Sequence, residues 1–166
     1  MNIYFELIAF SLIIGIGATV IMDIYAIVLK RLFNIPSLDY ALLGRWIGHF
    51  KNGIFFHKTI IQAEKIRYER TIGWIAHYSI GISFACLLLL IWGTGWAYHP
   101  TLLPALAIGI LTTVAPFFLM QPAFGFGIAA AKTPHPAIAR FRSLKTHTIY
   151  GIGLYLAALL LSRVMA

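Results

Sequence analysis

Residues Tyr4 to Leu29 read YFELIAFSLIIGIGATVIMDIYAIVL, with Glu6 and Asp23 as the sole charges. An α-helix needs about 20 apolar residues to cross a hydrocarbon core, and this run is longer. Lipid offers no hydrogen-bond partner to a bare backbone, so a spanning segment must be a helix or a strand of a closed barrel. The run lacks the alternation of a barrel strand, which leaves the helix. Three further runs have the same character: Ile72 to Trp92, Leu102 to Met120 and Thr146 to Met165. The fold class is therefore an all-α membrane protein with four transmembrane helices in a single integral domain covering residues 1–166. Composition agrees: 60% of the residues are apolar, 11% are charged and mean hydropathy is +0.85, far from a soluble domain.

The thirteen Lys and Arg residues fall unevenly. Eight lie between Lys30 and Arg70, four between Lys132 and Lys145, none between Gly93 and Thr101, and Arg163 stands near the C-terminus. The positive-inside bias then puts the 30–71 and 121–145 connections in the cytoplasm and both termini on the other side of a bacterial inner membrane. Tyr4, Trp92, Trp96 and Tyr98 would form the outer aromatic belt, and Trp74, Tyr78 and Tyr150 the inner one. The net charge of +8 is explained by anionic lipid headgroups rather than nucleic acid, because the basic residues are interleaved with apolar ones beside the spans. Membrane lipids are thus expected partners, and nucleic acid is not. The lone Cys86 rules out an intrachain disulfide or a cysteine-based zinc site. The first span has neither a basic leader nor an evident cleavage site and reads as a retained helix.

An internal repeat emerges from the spans. Gly15-Ile16-x-x-Thr19-Val20 in the first matches Gly109-Ile110-x-x-Thr113-Val114 in the third, and His77-x-x-x-Gly81-Ile82 in the second matches His147-x-x-x-Gly151-Ile152 in the fourth. Two parallel-repeat hairpins would produce this order. The connection Lys30–Arg70 is too long and too apolar to be a simple turn. A helix capped by Ser37 would gather Leu42, Leu43, Trp46, Ile47 and Phe50 on one face, with Arg45, His49 and Lys51 offset, forming an amphipathic helix on the inner surface. Asn52-Gly53 reads as its break. After the third span, Pro116, Pro122, Gly125 and Gly127 require a kink, a break or an interfacial bend, beside which Gln121 would meet a polar space.

Asp23 is the least expected residue, a carboxylate about 9 Å inside the first span by helical rise, where it needs a cation, a hydroxyl, a metal or a proton. Five of the six histidines, His49, His57, His77, His135 and His147, fall on the same predicted side. Neutral imidazole ligates zinc, copper, iron and nickel, so His49, His57, His77 and His147, with Asp23, form a candidate transition-metal set. No HExxH or CxxC spacing supports it. A haem between His77 and His147 is the lesser option, since nothing else in the chain requires a tetrapyrrole pocket. Arg45, Arg140 and Arg142, together with Asp23 and Gln121, are the candidates for a small anionic or polar ligand; plain topology determination is the competing role for the arginines.

The run Gly44-Arg45-Trp46-Ile47-Gly48-His49, with Gly53, His57, Gly73-Trp74-Ile75-Ala76-His77-Tyr78 and Met120-Gln121-Pro122-Ala123, resembles an uncharacterised family of small bacterial inner-membrane proteins, the domain-of-unknown-function family 2938. That resemblance covers nearly the whole chain and implies a location and a four-helix form, but no activity. Three functions therefore compete. The chain could bind or help to transport a metal ion or small anion at the Asp/His face. It could be an enzyme acting on a lipid or quinone, although no nucleophile is evident. It could instead be a non-catalytic subunit, as a homodimer or within a larger membrane complex.

Overall fold

A computed structural model describes residues 2–165 and is all-helical across them. Helix α1 spans Ile3–Phe33, α2 Tyr40–His49, α3 Glu69–Trp92, α4 Leu102–Leu111, α5 Gln121–Ala123 and α6 Pro136–Met165. Four stretches are long and apolar enough to cross a membrane: Ile3–Phe33, Glu69–Trp92, Leu102–Ala123 and Pro136–Met165. The molecule is thus a multi-pass helical membrane protein. α1 starts on an Asn2 cap, whose side chain accepts from the Tyr4 N–H, and stops at Asn34 in the left-handed region, with Lys30 and Arg31 in its last turn. α6 begins at Pro136, whose fixed φ suits a first helical position, so the helix runs well ahead of the apolar segment at Thr146.

The third crossing is irregular where the prolines and glycines foretell it. α4 ends at Leu111, a wide π-type turn covers Pro116–Met120, and α5 adds one turn. Pro116 has no N–H to give, and the Gln121 N–H reaches back five residues to the Pro116 carbonyl. Gly125 and Gly127 then reverse the chain with φ of 86° and 76°.

The chain divides into two compact units. One contains the residues up to Ser37, Tyr78–Thr112, and the chain from Lys145 onward. Its core centres on Phe10, Ile14, Leu88, Ile108, Tyr150 and Leu154. Small residues bring its helices into backbone contact. A Cβ on Gly15 would stand 2.6 Å from the Ile82 Cα, beside Gly81, and one on Gly109 would stand 2.6 Å from the Gly151 Cα. These are the glycines of the sequence repeat, so the first and third helical segments meet the second and fourth through matching crossings. Without a hydrophobic drive between helices in lipid, such close approach supplies the dispersion contact that holds spans together. Tyr150, expected in the inner aromatic belt, is instead buried, and its hydroxyl donates to the Gly81 carbonyl at 2.6 Å. The helix pairing here leaves that carbonyl in reach of a long phenol, and a buried phenol needs an acceptor. Around this core, Ile13, Ile24, Leu103, Leu160 and Val164 stay exposed, as lipid-facing side chains do.

The second unit contains Leu38–His77 and Thr113–Leu144. Leu43, Ile60, Ala123 and Phe124 form its core. Asp39, rather than Ser37, caps α2 by accepting from the Ala41 N–H, because the helix begins only at Tyr40. Asn52-Gly53 breaks the chain as expected, with Gly53 at φ 71°. The face of α2 that turns inward also differs from the amphipathic expectation. Ala41, Arg45 and His49, one helical turn apart, are buried together with Leu43, while Leu42, Trp46 and Ile47 are half-buried. The polar stripe goes inside because the 54–68 segment folds over it and supplies acceptors.

Candidate functional site

Arg45 organises the second unit. Its Nε and one terminal nitrogen donate to the two oxygens of Glu69 at 2.9 and 3.0 Å, and its other terminal nitrogen donates to the carbonyls of Ile60, Ile61 and Ala63 at 2.9, 3.1 and 3.3 Å. The planar guanidinium is suited to this: two parallel bonds on one edge, backbone acceptors on the other. The Glu69 hydrogen bonds push the Arg45 pKa up against the opposing effect of burial, so the cation is locked in place. Glu69 also accepts from the Ile66 N–H. Two glycines allow the pairing. A Cβ on Gly44 would lie 2.7 Å from the Gly73 N, and Gly73 meets the Tyr40 carbonyl, so α2 and the start of α3 touch backbone to backbone.

His49 sits one turn beyond Arg45, only 5% exposed, with Nε2 3.0 Å from the Glu64 carbonyl. A carbonyl can only accept, so Nε2 carries a proton, and Nδ1 is the ring nitrogen left over for another partner. That Nδ1 is buried without a protein partner, and so is Nε2 of His57, whose ring centre lies 5.0 Å from that of His49. Backbone bonds from His57 N–H to the Ala123 carbonyl and from Ile60 N–H to the Phe124 carbonyl pin the His57 segment against the turn after α5. The His57 pKa is lowered, first by burial and then by the adjacent His49 and Arg45, which favours the neutral imidazole. Gln121 is buried in the same unit, with Oε1 lacking a protein partner. His57 also lines an open cleft of about 770 Å³, together with Phe56, Lys58, Gly125, Ile128 and Lys132.

The remaining sequence candidates are dispersed. The set Asp23, His49, His57, His77 and His147 is not assembled: among the described residues no three His, Cys, Asp or Glu side chains are grouped as metal ligands. Each absentee is engaged locally. Asp23 accepts from the Tyr78 hydroxyl at 3.0 Å. His77 stacks on Tyr40, with ring centres 4.0 Å apart. His147 Nδ1 is 3.0 Å from the Thr112 hydroxyl, which itself donates to the Gly109 carbonyl; the histidine is therefore the donor. Arg45 serves Glu69 and the backbone rather than presenting an open cation. Arg140 is exposed and donates from Nε to the Ala129 carbonyl at 2.8 Å, and Arg142 is exposed. Sequence reasoning missed Glu69, Lys58 and Lys132. Glu69 had one signal: it is among only five acidic residues and directly precedes a span in a basic connection.

The four apolar spanning stretches and the helical architecture define a multi-pass helical membrane protein. More particularly, the chain belongs to the family described as protein of unknown function (DUF2938), whose model matches residues 12–161. No curated protein and no solved structure matches the chain.

Proposed function

We propose that the protein is a bacterial inner-membrane protein that binds a transition-metal ion through His49 Nδ1 and His57 Nε2 on the cytoplasmic side. The carrying observation is the pair of adjacent imidazoles, each with a buried ring nitrogen that no protein group satisfies. Buried polar atoms are nearly always satisfied, so two unsatisfied nitrogens on rings whose centres are 5.0 Å apart favour a species that both rings can bind. Neutral imidazole nitrogens suit zinc, copper, iron or nickel. The outer contact is also of the right kind: ligating histidines usually donate their second N–H to a carbonyl or carboxylate, as His49 does to Glu64. Two protein ligands leave coordination positions for water or a transferable ligand, which favours a loading or handing-on role over a closed structural site. The sidedness rests on the basic residues of the 30–71 and 121–145 connections.

The test is elemental analysis of protein purified in mild detergent, followed by calorimetric titration of the metal-stripped protein with Zn²⁺ and with Cu⁺. One site per chain is expected in the wild type, lost in His49→Ala and His57→Ala and retained in His135→Ala. Equal binding by wild type and both variants would put the metal at another site and overturn the assignment, and no binding by the wild type would leave an ordered water as what the two rings share.

A further inference from the structure

We propose that the cleft beside His57 is a binding site for one anionic phospholipid, with Lys58 and Lys132 on its phosphate and Phe56 and Ile128 against its acyl chains. This inference does not depend on the metal reading, since neither lysine touches the imidazole nitrogens used there.

The cleft has two chemically different parts. Among the described residues Lys58 and Lys132 have no carboxylate partner, and none of the chain's five acidic residues is among the lining. A pair of ammonium groups with no internal counter-charge selects an anion, and compact lysine charge suits phosphate. Apart from His57, the rest of the wall is built of apolar and glycine residues, and two of them are uncovered by protein: Phe56 is 70% exposed and Ile128 is 61% exposed. Large apolar side chains at that exposure beside free lysines fit an amphiphile better than free phosphate, which has nothing to place on them. The location agrees. The Gly125–Lys132 wall lies between the spanning stretches Leu102–Ala123 and Pro136–Met165, so it sits where one crossing ends and the next begins, at headgroup depth. The wall is also shaped by backbone: Gly125, at φ 86°, packs against the Lys58 carbonyl, so the chain there holds the two lysine-bearing segments side by side.

The experiment is native mass spectrometry of the full chain released from nanodiscs of phosphatidylglycerol and phosphatidylcholine, with affinity read from lipid titration. The wild type should retain one phosphatidylglycerol per chain in preference to phosphatidylcholine. Lys58→Gln/Lys132→Gln should weaken that binding about 30-fold, the worth of two lysines at a lipid surface. Lys51→Gln/Lys65→Gln removes the same charge from exposed positions outside the cleft and should leave the affinity within about twofold. Equal losses in both double variants would reduce the effect to general surface charge and overturn the proposal. So would displacement of the lipid by an equimolar amount of inorganic phosphate, which would make the site one for the free anion. Thermal midpoints of all variants, taken alongside, must match for the comparison to count as binding; a cleft variant that unfolds is replaced by Phe56→Ser, for which the same lipid loss is expected and unchanged retention would refute the acyl contact.

Discussion

Replacing Arg45 by Met removes one side of an ion pair whose side chains are 5% and 16% exposed. Three consequences add. Glu69 is left as a carboxylate with little water around it, the carbonyls of Ile60, Ile61 and Ala63 lose a shared donor, and the 54–68 segment loses its tie to α2. Breaking a buried pair by deleting one partner costs about 3–5 kcal/mol. At about 2–4 °C per kcal/mol for a chain of this size, the thermal midpoint should drop by about 6–20 °C. Arg45→Lys keeps the charge but cannot form the two-point bond to Glu69 while also reaching the carbonyls, so it should recover less than half of the loss. The double variant Arg45→Met/Glu69→Leu should be more stable than Arg45→Met alone, because no unpaired charge remains buried. Unfolding followed by tryptophan emission in mild detergent reads this directly, since Trp46 lies one residue from Arg45 and its indole N–H donates to the Phe55 carbonyl of the clamped segment. An Arg45→Met midpoint within about 2 °C of wild type would refute the clamp, and strictly additive single losses in the double variant would refute the coupling.

In a chelator-treated sample, the His57 pKa below its usual value of about 6.5 means that the unfolded chain takes up a proton before the folded one. Stability should therefore fall as pH drops from about 7.5 through that value and level off once folded His57 protonates; a pH series of thermal midpoints in which His57→Gln keeps the full decline would contradict this. Gly109→Ala should destabilise by about 1–3 kcal/mol, because its Cβ would meet backbone atoms of Gly151 and His147 at 2.6 Å that cannot move aside, whereas Gly95→Ala, with open space around it, should be neutral in the same unfolding assay.

Hydropathy alone determined that the chain crosses a membrane as helices, because a run such as Tyr4 to Leu29 has one low-energy form in lipid whatever surrounds it. Local chemistry also marked the breaks: Asn52-Gly53 ended the α2 region, and the Pro and Gly residues from Pro116 to Gly127 disrupted the third crossing, because φ restrictions act on single residues. The repeat glycines were legible as a pattern, and their meeting across helices depended on packing. The polar residues were a different matter. Arg45 and His49 were visible as a pair offset from an apolar face, yet whether that stripe met solvent or protein depended on the 54–68 segment folding back, which no periodicity encodes. Glu69 was not singled out from the sequence as a partner for Arg45, and the backbone contact of Gly44 with the start of α3 is what brings the two together. Five histidines on one predicted side suggested a cluster, and tertiary structure joined only His49 and His57, because a hydrogen bond or a stacked ring is won by whichever group is within a few ångströms.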